Sequence, residues 1–86
     1  MAELHRMSNS YKRSFRRRNK IKGGHIDHII PVVAFMNYGI FDLDVINADD
    51  NLRGISAKEN LSKSGFYDNL IVEKYLISKE IQFNAN

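Results

Sequence analysis

The chain has 86 residues, a net charge of +3 and no cysteine. This length suits one domain, and the lack of cysteine excludes disulfides and cysteine-based zinc sites. No apolar run approaches the roughly 18 residues of a membrane span, and the N-terminus lacks a signal-peptide pattern. We therefore expect a cytoplasmic protein with no membrane association, in which Asp, His or Asn would hold any metal.

The charge is distributed unevenly along the chain. Residues 1–24 hold eight lysines and arginines against one glutamate, a net +7, whereas residues 25–86 hold five bases and nine acids, a net −4. A basic arm on a mildly acidic body favours a polyanion partner, although a solvated tail would have the same composition. We expect nucleic-acid contacts from six cations of the arm: Arg13, Arg16, Arg17, Arg18, Lys20 and Lys22.

The basic arm predicts a helix. Within residues 8–22, Tyr11 and Phe15 lie four positions apart and share one helix face, which forms a thin apolar stripe among the charges. Such a stripe is completed by packing on the body or on DNA. Gly23 and Gly24 then end the helix and allow a sharp turn.

Two strand candidates follow, separated by a less regular segment. Residues 25–33 are rich in Ile and Val and predict a strand, in which Pro31 ends the pairing or begins the exit. Residues 34–50 predict either a long self-packed loop or a short helix at 33–38. Residues 51–55 predict a second short strand.

Two helices are predicted in the last third of the chain. Ser56 and Glu59 have the S-x-x-E spacing of a capping box, so a helix begins at Ala57 and ends before Ser64-Gly65. A second helix is predicted from about Tyr67 to Ile81, followed by a frayed tail at 83–86. Its apolar stripe is Leu70, Ile71, Tyr75, Leu76 and Ile77.

Five polar residues could support phosphodiester chemistry. They are His25, Asp27, His28, Asn51 and Asn60. Hydrolysis of a phosphodiester needs a base for water and a cation near the phosphate. Histidine suits the first need near neutral pH, and the oxygens of Asp and Asn suit a hard cation such as Mg²⁺. Each residue alone also has an ordinary structural explanation; only the combination is informative.

Three ordered segments resemble the motif of the HNH endonucleases. They are HIDHIIP at 25–31, NLRGIS at 51–56 and AKENLSKS at 57–64. The resemblance implies an α+β fold with a small ββα-metal core of two short antiparallel strands and a helix at 25–65. The basic arm at 1–24 and a C-terminal helix at 66–86 flank that core within one domain. It also implies a metal-dependent DNA endonuclease of the phage or bacterial type, without zinc-binding cysteines.

The resemblance assigns a role to each matched position. It implies that His28 is the general base, that Asp27 is a metal ligand, and that Asn51 holds the loop and orients the catalytic histidine. Asn60 stands where the family usually has histidine, as the second metal ligand. Lys63 matches a lysine that contacts phosphate or braces the helix.

The asparagine at position 60 affects the choice of metal. An amide oxygen is a harder ligand than imidazole, so Mg²⁺ is expected, with Mn²⁺, Ni²⁺ or Co²⁺ as alternatives. DNA is the expected partner, in a bacterial cell or phage-infected host. A phage packaging machine or other protein partner, and the oligomeric state, are left open by the sequence.

One geometric difficulty concerns the first strand. In a regular strand Asp27 and His28 point to opposite faces, whereas His25 and Asp27 share a face. Asp27 and His28 can serve one phosphate only if the chain bends there or leaves the strand. If it does not, His25 is the better neighbour of Asp27, as a phosphate contact; otherwise it is a structural histidine. Two other functions stay open: a non-cleaving binding module and a basic RNA-binding protein.

Overall fold

The computed structural model describes residues 2–62 and 66–83, with the side chains of residues 61 and 62 left aside. The predicted helix end at Ser64-Gly65 and the tail beyond residue 83 lie outside this part. In chain order the helices and strands are α1 (Ala2–Met7), α2 (Asn9–Arg18), β1 (His25–His28), α3 (Val32–Asn37), α4 (Leu43–Ile46), β2 (Leu52–Ile55), α5 (Ala57–Ser62) and α6 (Asn69–Ser78). A 3-10 turn at Asp49–Asn51 precedes β2.

The two strands form an antiparallel pair whose register defines two faces. His28 lies opposite Leu52, and Asp27 lies opposite Arg53. Because directly opposed side chains share a face, Asp27 and Arg53 lie on one side of the pair and His28 and Leu52 on the other. The expected α+β class with two antiparallel strands and several helices is confirmed.

Helix α2 packs on the sheet through the predicted apolar stripe. Phe15 is buried in a small core with Ile26 and Leu52, against which Ile21 also packs. Tyr11, on the same stripe, donates its hydroxyl to Asp44 Oδ1 at 2.6 Å. The stripe is therefore completed by the body of the protein. The helix ends at Arg18, earlier than predicted, and α1 was not predicted at all.

The prediction of a strand over 25–33 was wrong beyond His28. Pro31 precedes the first turn of α3, with φ −65° and ψ 152°, and α3 begins at Val32. Proline has no N–H to pair in a sheet and suits the start of a helix. The apolar residues after Pro31 form α3. This helix corresponds to the short helix at 33–38 that was one of the two predicted possibilities.

The main core lies between α3, α4 and α6. Its fully buried members are Ala34, Phe35, Ile46, Val72 and Leu76. The sequence analysis did not predict α4. The side chain of Asp42 caps this helix by accepting from Asp44 N.

The capping box before α5 is confirmed. Glu59 N donates to Ser56 Oγ at 3.1 Å, and Ser56 N donates to Glu59 Oε1 at 3.4 Å. The helix begins at Ala57, as predicted, and its backbone contacts β1.

Helix α6 is shorter than predicted, and its stripe is narrower. It begins after Asp68, whose side chain accepts from Leu70 N. Leu76 is fully buried and Tyr75 half-buried, but Leu70, Ile71 and Ile77 are exposed. Buried positions four apart, 72 and 76, define the core face. Phe83, placed in the frayed tail, packs its ring edgewise on Tyr38. None of the helices in the described residues is long and apolar enough to cross a membrane.

The turn between α2 and β1 gives a stability prediction. Gly23 and Gly24 both have positive φ, +72° and +63°, but a Cβ on Gly24 would lie 2.4 Å from Ile55 O, whereas one on Gly23 meets nothing within 4 Å. Gly23→Ala should cost about 1–2 kcal/mol, the penalty of the left-handed conformation alone. Gly24→Ala should cost clearly more, because the strand backbone must also move. Urea unfolding measures the free energy of unfolding of both variants. Equal losses of stability would contradict the close contact between Gly24 and Ile55 O.

Candidate active site

Asp27 shares one face of the strand pair with Arg53. Its side chain is 9% exposed, and its Oδ2 accepts from Nε and Nη2 of Arg53, each at 3.3 Å. Arg53 is directly opposite on β2. This cross-strand ion pair fixes the position of a nearly buried carboxylate, an oxygen ligand of the kind that a hard cation accepts.

His28, the last residue of β1, is buried on the other face. Its side chain is 3% exposed, and its ring meets that of His5 edgewise with centroids 6.3 Å apart. Its Nε2 lies 2.8 Å from Oδ1 of Asn47, which is also buried. The first two helices therefore cover the histidine that the motif places at the centre of the chemistry.

The partners of Asn47 determine which nitrogen of His28 carries the proton. Asn47 Nδ2 donates to Leu43 O and to Ser8 Oγ, both at 3.0 Å, and Ser8 Oγ in turn donates to Leu4 O. These bonds fix the amide orientation, so Asn47 Oδ1 accepts and His28 Nε2 donates. The neutral imidazole therefore carries its lone pair on Nδ1.

The environment of His28 keeps its ring neutral at pH 7. The pKa of His28 is lowered to about 4, chiefly by burial and to a lesser extent by the charges of Lys12 and His5. The hydrogen bond of Asn47 and the charge of Asp27 act in the opposite direction without balancing the burial. A neutral ring is the form that can accept a proton from water.

Asn51 fastens the end of β1 to the segment before β2. Its Oδ1 accepts from Ile30 N at 2.7 Å, and its Nδ2 donates to Ile30 O and to Ile46 O. Its backbone O accepts from Ile29 N. The side chain is fully buried. Its amide is committed to backbone atoms of the loop, so the expected hydrogen bond from Asn51 to the histidine is absent from these contacts. His28 Nε2 instead donates to Oδ1 of Asn47.

The remaining motif residues are on α5. Asn60 is exposed on that helix, which contacts β1. Lys63 lies outside the described residues. Two oxygen donors, from Asp27 and Asn60, therefore belong to elements in contact. Within residues 2–62 and 66–83, no cluster of three His, Cys, Asp or Glu side chains could form a fuller metal site.

Strand β1 stays regular through position 28, so the chain does not bend in the way that would bring Asp27 and His28 to one phosphate. Asp27 and His28 lie on opposite faces, and His25 shares the face of Asp27. His25 is exposed at the start of β1. Asp27 and His28 are therefore adjacent in the chain, but their side chains point to opposite sides of the sheet.

The cations of the arm divide into two groups. Arg18 forms a two-point ion pair with Asp49, at 2.6 and 3.0 Å, and Arg16 donates to Gly23 O and Gly24 O. These two side chains thus have structural partners inside the protein. Arg17 and Arg13 are exposed on α2, and Lys20 and Lys22 are exposed beyond its end.

The sequence analysis missed several residues of the site, among them Arg53, which pairs with Asp27, as well as Asn47 and Lys12. Asn47 looked like one more turn residue in a segment rich in Asn and Asp, and only its burial beside His28 reveals it. Lys12 carries no motif signal; its charge acts on His28 because the fold of α2 brings the two together.

Comparison of the chain with models of known protein families finds no match. The curated proteins and the solved structures likewise contain no detectable relative.

The buried amide beside His28 gives a second stability prediction. Asn47→Ala leaves the His28 Nε2 proton without its acceptor, so it should lower the free energy of unfolding by about 1–3 kcal/mol. Asn69→Ala, at an exposed asparagine on α6, is the control and should stay within about 0.5 kcal/mol of the parent. Chemical unfolding of the three proteins compares them. Equal stability of both variants would contradict the network.

Proposed function

We propose that the protein is a metal-dependent endonuclease of the HNH type that hydrolyses DNA phosphodiester bonds. One observation carries the proposal: the second strand of the antiparallel pair, β2, runs directly into a capped helix, α5, that contacts β1. This arrangement puts Asp27 and His28 on the strand and Asn60 on the helix, in the order that the motif requires. The basic helix α2, packed on the same strands, supports a polyanionic substrate.

The donor chemistry of Asp27 and Asn60 fits a hard divalent cation. One carboxylate and one amide oxygen are ligands that Mg²⁺ accepts while keeping several waters. When bound, such a cation would neutralise charge on the phosphate and on the leaving 3′ oxygen. Arg53 already holds one oxygen of Asp27, so it would position the carboxylate.

The contribution of His28 follows from its protonation state. A neutral imidazole with its lone pair on Nδ1 can take a proton from the attacking water, whose oxygen then bonds to phosphorus as the bond to the 3′ oxygen breaks. Asn47, bonded to Nε2, would stabilise the imidazolium that results. His28 is buried and lies on the face of β1 opposite to Asp27, so the two residues would act on one phosphate only with a bend of the chain at the end of β1.

His25 is a second candidate for the base, because it shares the face of Asp27 and is exposed. A non-cleaving DNA-binding module would use the same basic surface without a base. The two alternatives differ in which substitutions abolish cleavage and in whether cleavage occurs at all.

Substitution of the two histidines identifies the base. His28→Gln keeps an N–H that can donate to Asn47 and so preserves the fold better than alanine. It should lower the cleavage rate by roughly 10²–10⁴-fold with little change in DNA affinity. His25→Gln is the comparison variant: it removes a phosphate donor, so it should weaken DNA binding while bound DNA is cleaved at a rate within a few-fold of the parent. The measurement is single-turnover cleavage of a labelled duplex. Loss of activity in His25→Gln alone would move the role to His25.

Substitution of the two ligands tests the metal site. Asp27→Ala should abolish cleavage at any practical Mg²⁺ concentration, because it removes the charged ligand. Asn60→Ala should be milder and partly rescued by more metal, since water can replace a neutral ligand. Asn60→His should stay active and shift the preference toward Ni²⁺ or Co²⁺.

Metal titrations of cleavage compare these variants, with the exposed Asn69→Ala as the control. An Asn60→Ala protein with the parent's metal dependence would remove Asn60 from the site. Full activity of the parent in EDTA would remove the metal from the mechanism.

A further inference from the structure

A cleft of about 310 Å³ separates α2 from the beginning of β1. Its lining comes from four residues of the helix and two of the strand: Asn9, Lys12, Arg13, Arg16, His25 and Ile26. The volume is at the lower end of the range that holds small organic molecules. No acidic side chain lines it, so its field is positive.

The helical wall of the cleft follows from the spacing of its residues. Positions 12, 13 and 16 come three, four and seven residues after position 9, a spacing that places all four on one helix face. Phe15 points away from this face into the core beneath. Packing of the apolar stripe on the sheet therefore fixes the direction in which the cations point.

The opposite wall is held in place by Arg16. Its Nη1 donates to Gly23 O at 2.9 Å and its Nη2 to Gly24 O at 3.1 Å. The guanidinium thus ties α2 to the turn that leads into β1, and it keeps its positive charge while doing so. Gly24 is further confined by its close approach to Ile55 O. The cleft is therefore preorganised.

The charge of Arg13, in the helical wall of the cleft, is not neutralised by an ion pair within the described residues. Arg18, outside the cleft, is neutralised by Asp49, whereas Arg13 forms no ion pair or hydrogen bond with the part of the chain that the structure describes. A guanidinium fork, an ammonium group, an amide and an imidazole are together the donors that bind a phosphate group best.

We propose that this cleft binds a backbone phosphate of the nucleic acid, at a nucleotide beside the cleaved bond. The location beside the cleaved bond rests on the proposed nuclease function. His25 lies two residues before Asp27, about 7 Å along a strand, so one polynucleotide can contact both. The cleft would set the register of the substrate on β1, with Lys12 and Arg13 as its principal phosphate contacts.

The test measures DNA binding without cleavage. The full chain is titrated into a fluorescein-labelled 20-base-pair duplex in EDTA, and anisotropy gives the Kd at several salt concentrations. Lys12→Gln/Arg13→Gln should weaken binding by at least about tenfold and reduce the salt slope by about 2. The single variant Arg13→Gln, at an exposed position, should show part of the loss with an unchanged unfolding midpoint.

Two controls remove the same charge elsewhere. Lys58→Gln/Lys74→Gln changes exposed lysines on α5 and α6 and should weaken binding by less than about threefold, as expected for a general field effect. Lys20→Gln/Lys22→Gln removes two cations of the basic arm that do not line the cleft; because both are expected to contact nucleic acid, it should weaken binding, but less than the cleft variant does. If either control loses as much affinity as the cleft variant, diffuse charge explains the binding and the proposal is overturned.

Inorganic phosphate distinguishes a polynucleotide site from a site for a small anion. Its titration is followed by NMR shifts of His25 and Arg13. If phosphate shifts these signals but the cleft variant binds DNA like the parent, the site is one for a free anion and the proposal is wrong. If the cleft variant loses DNA binding in EDTA while the parent never cleaves DNA with Mg²⁺, the cleft stands and the nuclease proposal fails.

Discussion

The buried amide of Asn51 is the interaction on which the arrangement of the site depends. The side-chain oxygen of Asn51 accepts from the backbone N–H of Ile30. Its side-chain nitrogen donates to the backbone carbonyls of Ile30 and Ile46. These bonds fasten the exit of β1 to the end of α4, across a loop that has no sheet partner of its own. An unsatisfied buried amide costs free energy, so the three segments must meet for the side chain to be buried at all. The same bonds place α4 so that Asn47, just after it, reaches His28.

The two faces of the strand pair then have different environments and different chemistry. One face holds Asp27, whose carboxylate forms an ion pair with the guanidinium of Arg53 on the opposite strand. The other face holds His28 beneath the first two helices, where burial keeps the imidazole neutral. A nuclease of the proposed type needs both groups, a carboxylate ligand and a neutral base. In this fold the two groups lie on opposite faces of β1. They could therefore act on one phosphate only with a change in backbone conformation at the end of the strand.

Local signals in the sequence predicted the elements that depend on neighbouring residues. The capping box at Ser56 and Glu59 predicted the start of α5 because its bonds span only three positions. Pro31 signalled the end of strand pairing, but the apolar residues after it resembled a strand, since Ile and Val fit a buried helix as well. The stripe of α6 was predicted too broadly because periodicity alone does not show which apolar residues meet a partner.

The parts that could not be predicted depend on contacts far apart in the chain. The bond between Asn47 and His28 spans 19 residues, and that between Asn47 and Ser8 spans 39. Nothing in the local pattern distinguishes Asn47 from the polar residues around it. The motif resemblance supplied Asp27, His28, Asn51 and Asn60 as a set. The cleft on α2, by contrast, emerges only when the helix is placed on the sheet.

The central claim, that this fold hydrolyses DNA with a divalent cation, is tested most directly by mapping the ends of cleavage products. Purified protein is incubated with supercoiled and linear DNA in Mg²⁺, Mn²⁺ or EDTA, and the termini are identified by ligation and by phosphatase sensitivity. Attack of water with departure of the 3′ oxygen predicts 5′-phosphate and 3′-hydroxyl ends in Mg²⁺ or Mn²⁺ and intact DNA in EDTA. Intact DNA under every condition, or cleavage that persists in EDTA, would contradict the account.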